Sequence, residues 1–429
     1  MKKLSPQMSF VNETFSKARE IGIIRMKTSH DEQTGSSFIV NGKKISNFLT
    51  SNYLAFEMDE RVKQAAIEGI QRFGLQIAIS STYLSFEHAI ELEEKLEKIF
   101  GLPVITASST SAGNMAYIPT VISSNDAIIL DQFVHESVKM AADIVKAKGG
   151  HVETIKHNQM EVLDKRIKTL SETHENVWYL ADSVYSMHGD TAPFKNIELL
   201  LNTHDKFHCY IDDAHGMSWI GENGKGFALH SIQKHPKLYI ITSLNKAFGA
   251  MGSALIFPDK ATKSFVENCN GAIRYSSPTP LMGVLAASKI ADIHLSSEIY
   301  ERQARLNELI VFFKKKAKEL NLPITNYTHS PLFYLATGSS MENIYKFSTH
   351  FRDSGFLMGA CTLPAVPVAQ SGYRISLSLY QDISETEKLL NNIAEYMEDL
   401  ERKGQFNREE ALKGFKLNIK ERERALALI

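Results

Sequence analysis

Lys246 and Asp212 are the residues whose types and order in the chain point most directly to a specific chemistry. Lys246 lies in the stretch 241–249, and Asp212 lies upstream with His215 in the stretch 210–216. The aldehyde of pyridoxal phosphate (PLP) needs an amine to hold it as a Schiff base. Its pyridine nitrogen needs a carboxylate to stay protonated, so that the ring can accept electrons from a substrate carbanion. We therefore predict that Lys246 holds PLP and that Asp212 pairs with the ring nitrogen.

Short apolar runs precede these residues and predict buried strands. Three runs stand before candidate side chains: 177–180 before Asp182, 209–211 before Asp212 and His215, and 238–241 before Ser243 and Lys246. Further runs at 104–106, 127–130 and 254–257 alternate with helical patterns such as 89–100, which predicts an α/β fold with a mostly parallel sheet. Because ligands bind at the carboxyl ends of strands in such sheets, we expect these side chains to share one site.

The order of these motifs resembles that of the α-oxoamine synthases, from about Phe48 to Met397. Members of this family are fold-type-I PLP enzymes that join an α-amino acid to an acyl thioester with loss of carbon dioxide. The resemblance implies a large PLP-binding domain with a mostly parallel central sheet and a smaller C-terminal α+β domain. We expect an N-terminal arm at 1–55, the large domain at 56–285, the small domain at 286–400 and a charged helical extension at 401–429, whose role the sequence does not assign.

The resemblance also implies roles for residues around the cofactor ring. His135 matches the histidine that stacks on the pyridine, and His215 would lie beside the ring hydroxyl, where it would polarise the acyl carbonyl or move a proton. Asp182 and Ser186 fall in the family's run beside the ring oxygen, although Asp182 stands where a glutamate is usual. Lys246 would remove the α-proton of the amino acid. By itself, a histidine near a helix start such as His135 is usually structural.

A run of small hydroxyl residues, 108–114, lies between a predicted strand and a predicted helix and suits a phosphate. Its candidates are Thr110, Ser111 and Asn114, and the alternative interpretation is a polar turn with a helix cap. Ser243 takes the place of the family's phosphate-binding threonine or serine.

Ser276 and Ser277 follow Tyr275 in a segment that, by the resemblance, reaches the phosphate of the neighbouring subunit. If this holds, the protein is a homodimer with shared active sites.

Arg374 and Asn52 are the candidates for substrate binding. By the resemblance, Arg374 binds the carboxylate of the amino acid, and its planar guanidinium suits a bidentate grip. A charge at a strand edge is the alternative. Asn52 belongs to an Asn-Tyr-Leu run near the substrate in the family, and a polar turn is equally compatible.

The segment 74–84 departs from the family because it contains no arginine. In many members a Gly-rich Ser-Arg segment here helps to bind the acyl thioester or a substrate carboxylate. Its loss favours an uncharged, lipid-like acyl chain over a short dicarboxylate. The segment and the run beginning at Asp182 look somewhat closer to the branch that makes α-aminoketone signalling precursors. The sequence names neither the amino acid nor the acyl donor.

Other chemistries remain open at this stage. Transamination or aldol cleavage could use the same PLP site, and a non-catalytic subunit would be expected to lose Lys246. Asp212, Asp213 and His215 could ligate a metal, and the His204–His208 spacing is compatible with zinc, but no second cluster supports either reading, so no metal is expected.

The composition is that of an ordinary globular protein. The chain has 429 residues, is 43% hydrophobic and 23% charged, and carries a formal net charge of −1, which gives no reason to expect nucleic acid or an anionic membrane as partner. Three separated cysteines make no disulfide framework, and no apolar run reaches the roughly 18 residues of a membrane helix. Without a signal-peptide pattern, we expect a cytoplasmic protein.

Overall fold

The computed structural model describes residues 5–29 and 34–415. By its internal contacts the chain divides into two compact units: Met1–Tyr53, Met187–Asp190 and Arg305–Ile429 form the first, and Leu54–Ser186 and Thr191–Ala304 form the second. The four-segment division made from the sequence stays a prediction. Of the charged extension, residues 416–429 lie outside the described part of the chain.

The described residues form thirteen strands, fifteen α-helices and four short 3-10 helices. The strands are β1 Ser37–Val40, β2 Lys43–Asn47, β3 Val104–Ala107, β4 Ala127–Asp131, β5 His151–Ile155, β6 Val177–Asp182, β7 Phe207–Asp212, β8 Leu238–Ser243, β9 Ser253–Ile256, β10 Leu332–Ala336, β11 Phe356–Leu357, β12 Gly359–Cys361 and β13 Gly372–Ser376. The helices are α1 Pro6–Glu20, α2 Glu60–Phe73, α3 Glu87–Phe100, α4 Thr110–Val121, α5 Glu136–Ala147, α6 Met160–Leu170, α7 Phe194–Thr203, α8 Phe227–Ser231, α9 Lys260–Cys269, α10 Gly271–Arg274, α11 Leu281–His294, α12 Glu298–Glu319, α13 Met341–Asp353, α14 Ile383–Arg402 and α15 Arg408–Leu412. The 3-10 helices are Phe56–Met58, Glu222–Gly224, Val368–Gln370 and Lys413–Phe415. No helix of the described residues is long and apolar enough to cross a membrane.

A seven-stranded sheet is the centre of the second unit. Its strand order is β3-β9-β8-β7-β6-β4-β5, and every neighbouring pair from β8 to β5 is parallel, whereas β9 runs antiparallel to both of its neighbours. Every residue of β4 and β6 is buried, as expected for strands covered on both faces. The mostly parallel sheet predicted from the apolar runs is therefore confirmed.

Strand β5 is the element of this sheet that the apolar runs do not reveal. It lies at the edge beside β4, and only its last residue, Ile155, is buried. An edge strand covers less apolar surface, so its sequence, with His151, Glu153 and Thr154, carries little hydrophobic signal.

The first unit contains two small sheets of three strands each among the described residues. Strands β1 and β2 form a hairpin through Asn41 and Gly42, both with positive φ, and β11 joins β2 in parallel. This is the turn conformation that Asn-Gly favours in a hairpin. The second sheet has the order β10-β13-β12 and is antiparallel.

A network of ion pairs joins the start of α2 to the start of α12 in the second unit. The Asp59 carboxylate accepts from Arg61 at 2.7 Å and 2.9 Å and from Arg302 at 2.7 Å, and Glu298 pairs with both arginines at 2.8 Å. Asp59 also caps α2, accepting from the Arg61 amide. The Arg302 guanidinium lies over the Phe56 ring at 4.3 Å. The Arg61 hydrogen bond, with Arg302 nearby, lowers the pKa of Asp59 to about 2.

We expect Asp59→Asn to lower the free energy of unfolding by about 1 kcal/mol, because asparagine keeps the helix cap but weakens the bonds to two arginines, one of them half exposed and screened by water. A depressed acid pKa contributes stability that is complete above about pH 4 and lost towards pH 2. Urea unfolding should therefore show a constant difference between the two proteins above about pH 4 and their convergence as the pH falls from about 4 towards 2. Asp259→Asn is the matched control: Asp259 caps α9, and among the described residues its carboxylate bonds no arginine. A difference that stays constant as the pH falls from about 4 towards 2 would contradict the prediction.

Candidate active site

Four parallel strands end in polar residues at the same edge of the large sheet. Asp131, Asp182, Asp212 and Ser243 are the last residues of β4, β6, β7 and β8. Asp182 and Asp212 are direct register partners. The parallel arrangement therefore brings together side chains that are far apart in the sequence.

A cavity of about 190 Å³ opens at this edge within the second unit. Its lining residues are Ser109, Thr110, Ser111, His135, Asp182, Val184, Asp212, Ala214, His215, Ser243, Asn245 and Lys246. Eight of the predicted site residues are among them: Thr110, Ser111, His135, Asp182, Asp212, His215, Ser243 and Lys246. The sequence prediction that these residues meet at one place is consistent with this arrangement, and their individual roles stay predictions.

Lys246 lies in a tight loop directly after β8. The Gly249 amide donates to the Lys246 carbonyl at 2.8 Å, and the Ala250 amide donates to the Leu244 carbonyl at 2.7 Å. Gly249 has a φ of +83°, and a Cβ there would lie 2.7 Å from the Phe56 Cβ. Only glycine fits both the conformation and the close approach, so this residue keeps the lysine loop packed against its neighbours.

The Asp212 carboxylate is buried and held by two donors. Its Oδ1 accepts from the Ala214 amide at 3.0 Å, and its Oδ2 accepts from Asn114 Nδ2 at 3.0 Å. Asn114 was predicted to bind the cofactor, but it does not line the cavity; it is fully buried on α4 and touches Asp212 instead.

Asp182 and His135 are joined through the backbone, since the His135 amide donates to Asp182 Oδ1 at 3.0 Å. Burial raises the pKa of Asp182 well above its usual range, and the charge of Asp212 raises it further, while the His135 amide and Lys246 oppose the rise. Loss of water contact lowers the pKa of the His135 imidazole; Asp212 opposes this effect and Lys246 adds to it. The cavity therefore favours a neutral His135 at neutral pH.

His135 is also the N-cap of α5, which agrees with the alternative that a histidine near a helix start has a structural role. Its Nδ1 accepts from the Ser137 amide at 3.2 Å and lies 2.7 Å from the Ser137 hydroxyl. A backbone amide can only donate, so the proton of the neutral ring is on Nε2. The capping and cofactor-facing roles are thus compatible in one side chain.

His215 is buried after β7, and its carbonyl accepts from Trp219 Nε1 at 2.7 Å. Asp213 does not line the cavity. Its carboxylate accepts from the Ser183 hydroxyl and the Ala228 amide, and burial raises its pKa to about 8. The two aspartates and His215 do not converge as metal ligands, and no metal-holding group of acids, histidines or cysteines occurs in the described part of the chain.

The histidine pair considered for zinc has other contacts. His204 Nε2 lies 2.8 Å from Asp164, and the His208 ring stacks on Trp178 with centroids 4.6 Å apart.

The start of α4 supplies the hydroxyl side of the cavity. Ser109 is the N-cap, and its hydroxyl accepts from the Ala112 amide at 3.2 Å. Thr110 and Ser111 occupy the first turn, where helix amides are available to an anion. The Ser243 hydroxyl, which also lines the cavity, accepts from the Asn245 amide at 3.1 Å. The helix-cap interpretation holds for Ser109, whereas Thr110 and Ser111 line the cavity and their binding of a phosphate stays a prediction.

Four lining residues were not predicted: Ser109, Val184, Ala214 and Asn245. Ser109, Ala214 and Asn245 lie inside or beside the motifs of the predicted site, so their positions in the sequence could have identified them as lining residues. Val184 is apolar and carried no chemical signal.

Five predicted residues lie outside the cavity wall besides Asn114: Ser186, Ser276, Ser277, Asn52 and Arg374. Ser276 and Ser277 are exposed, and Ser186 is partly exposed. Arg374 and Asn52 belong to the first unit. Arg374 lies in β13 and donates through Nη2 to the Leu49 carbonyl at 3.1 Å.

The donor set of the cavity fits PLP. An amine, a buried carboxylate held by an amide and hydroxyls at a helix start are the groups that a pyridine aldehyde with a phosphate requires. Lys246 would hold the aldehyde carbon, Asp212 the ring nitrogen, and Thr110, Ser111 and Ser243 the phosphate.

Comparison with known proteins agrees with this arrangement. The family model of aminotransferase class I and II matches residues 44–393. The 8-amino-7-oxononanoate synthase of Thermoanaerobacter pseudethanolicus is 28% identical over 364 residues, covering 84% of this chain and 89% of the relative.

Among solved structures, the serine palmitoyltransferase of Sphingomonas wittichii superposes with a TM-score of 0.84 at 19% identity, covering 95% of this chain and all of that one. A structure of SPT with a PLP internal aldimine gives a TM-score of 0.83 at 19% identity, covering 91% and 97%. At this identity the structures bear on the fold, and they confirm the predicted α/β class. The chain belongs to the aminotransferase class I and II family, and it is similar to 8-amino-7-oxononanoate synthases.

Proposed function

We propose that this protein is a PLP-dependent acyltransferase that condenses an α-amino acid with an acyl thioester and releases carbon dioxide, giving an α-aminoketone. The observation that carries the proposal is the cavity wall, where Lys246, Asp212, His135 and His215 occur together. The family membership and the similarity to 8-amino-7-oxononanoate synthases support it.

PLP, when bound, supplies an electron sink for the negative charge that develops on the α-carbon of the amino acid. Lys246 binds the cofactor at rest and then, as a neutral amine, accepts the α-proton. Asp212, fixed by Asn114 and the Ala214 amide, keeps a proton on the ring nitrogen. The α-carbon forms a bond to the acyl carbon and the thiol leaves. The carboxylate then departs as carbon dioxide, and the α-carbon takes a proton back from the ammonium of Lys246.

The two histidines orient and polarise. His135, neutral and with its proton on Nε2, would stack on the ring of the bound cofactor. His215, buried beside the cavity, polarises the acyl carbonyl or shuttles a proton. Neither role needs a charged imidazole at rest, which fits a cavity that already contains Lys246.

An uncharged, lipid-like acyl chain is the finer part of the proposal. The segment 74–84 contains no arginine and exposes Leu75, Ile79, Tyr83 and Leu84. It bonds through Ser80, Ser81 and Thr82 to the backbone of residues 273–274, just before the exposed Tyr275. A short dicarboxylic acyl group would need a cation that this apolar segment does not supply.

Ser276 and Ser277 are proposed to reach the phosphate of the partner subunit in a homodimer. Both are exposed in the single chain, which is compatible with a contact made only on assembly. The expected cytoplasmic location is likewise a proposal.

We expect Lys246→Ala to abolish turnover and the visible absorption of lysine-bound PLP, because no other amine lines the cavity. The measurement is an absorption spectrum and an assay for the aminoketone. Lys148→Ala removes an exposed lysine at the end of α5 and should change neither reading. Normal turnover in Lys246→Ala would refute the mechanism.

We expect long-chain acyl thioesters to be used with at least a tenfold higher kcat/KM than succinyl or pimeloyl thioesters, since burying a carboxylate without a partner costs far more than burying methylenes. The measurement compares a series of thioesters at one amino acid concentration. Equal kcat/KM for the two classes would remove the lipid-like assignment but leave the condensation itself in place.

We expect Arg374→Lys to raise the KM for the amino acid about tenfold or more, because lysine loses the bidentate grip on a carboxylate. The absorption of bound PLP should not change. Arg352→Lys, in α13 of the same unit, is the control. An unchanged KM would exclude Arg374 from carboxylate binding.

A further inference from the structure

A buried chain of hydrogen bonds connects the two residues proposed to contact the PLP ring. The Tyr210 hydroxyl donates to Asn114 Oδ1 at 2.6 Å, and Asn114 Nδ2 donates both to Asp212 Oδ2 at 3.0 Å and to Ser137 Oγ at 2.9 Å. Ser137 Oγ lies 2.7 Å from His135 Nδ1. Tyr210 and Asn114 are completely buried, and none of Tyr210, Asn114 and Ser137 lines the cavity.

The direction of each bond in this chain follows from what its members can do. An ionised carboxylate can only accept, so the Asn114 amide must turn its nitrogen to Asp212 and its oxygen the other way. The oxygen then requires a donor, and the Tyr210 hydroxyl is that donor. Because Nδ2 also donates to Ser137, the Ser137 hydroxyl proton is left for His135 Nδ1.

The tyrosine is suited to this task. It lies two residues before Asp212 on β7, so both side chains point to the same face of the sheet. Its ring packs edge-on against Tyr117, with centroids 5.4 Å apart. Burial raises the pKa of Tyr210 well above the usual range, so its hydroxyl keeps its proton. Loss of that hydroxyl would leave a buried amide oxygen without its donor, and a flipped amide would turn that oxygen towards Asp212.

We propose that Tyr210 is a positioning residue of the cofactor site: acting through Asn114, it sets the orientation of the Asp212 carboxylate for PLP. This rests on the proposed function only in so far as PLP is the ligand. Tyr210 touches neither the cavity nor the substrate, so its effect passes entirely through the amide.

The test compares Tyr210→Phe with Tyr117→Phe. Each change removes one hydroxyl from a fully buried tyrosine of the same cluster, but the Tyr117 hydroxyl donates to the Ile256 carbonyl, away from Asp212. The apo-protein of each is titrated with PLP, and the visible absorption of the bound cofactor is followed against pH. We expect Tyr210→Phe to bind PLP about tenfold more weakly and to shift the pH midpoint of the band. Tyr117→Phe should match the wild type in both.

Equal behaviour of the two variants, or a Tyr210→Phe protein with wild-type affinity and midpoint, would overturn the proposal. Should Tyr210→Phe not fold, Asn114→Asp serves the same purpose, because it keeps the size of the side chain and turns an oxygen towards Asp212. It is expected to bind PLP at least about tenfold more weakly than the wild type, and wild-type affinity would overturn the proposal. The experiment measures the binding of PLP, so it tests the role of Tyr210 even if the protein turns over no acyl thioester. A wild-type protein that binds no PLP would instead overturn the proposed function.

Discussion

The site depends on placing two carboxylates, Asp182 and Asp212, side by side at the ends of neighbouring parallel strands. Buried like charges repel, and each buried charge loses its hydration, so such a pair persists only if protons or donors compensate it. Here the compensation is unequal. Asp212 receives a side-chain amide and a backbone amide, whereas Asp182 receives one backbone amide and has its pKa raised by burial. More donors therefore hold the Asp212 carboxylate than the Asp182 carboxylate, and Asp212 is the one proposed to face the cofactor nitrogen.

Much of the surrounding structure serves this pair. The parallel register brings β6 and β7 level, α4 brings Asn114 against Asp212, and the loop after β8 brings Lys246 to the same cavity. Close packing makes this possible. A Cβ on Gly113 would lie 2.6 Å from the Ile241 Cδ1 methyl, so a side chain there would require that methyl and its neighbours to shift.

Side chains at the starts of α4 and α5 both cap a helix and line the cavity, so a structural role does not exclude the proposed role in the site. His135 caps α5 and lines the cavity, and the serine run at the start of α4 both caps the helix and presents hydroxyls. A helix N-terminus needs acceptors for its amides, and a phosphate is also an acceptor. The same few residues can therefore satisfy both requirements.

The amino-acid sequence alone predicted six of the seven strands of the large sheet and eight of the twelve residues that line the cavity, Lys246 and Asp212 among them. Buried parallel strands have sequences that are continuous apolar runs. The residues that directly follow these strands lie at one edge of the sheet, so their positions after the runs predict that their side chains are close together. Strand β5 was not predicted, because an edge strand is only partly buried and its sequence is not a continuous apolar run. The role of Asn114 and the involvement of Tyr210 and Ser137 were decided by the tertiary structure. A hydrogen bond between residues about a hundred positions apart depends on how a helix packs on a sheet, and residue type and spacing do not specify that packing.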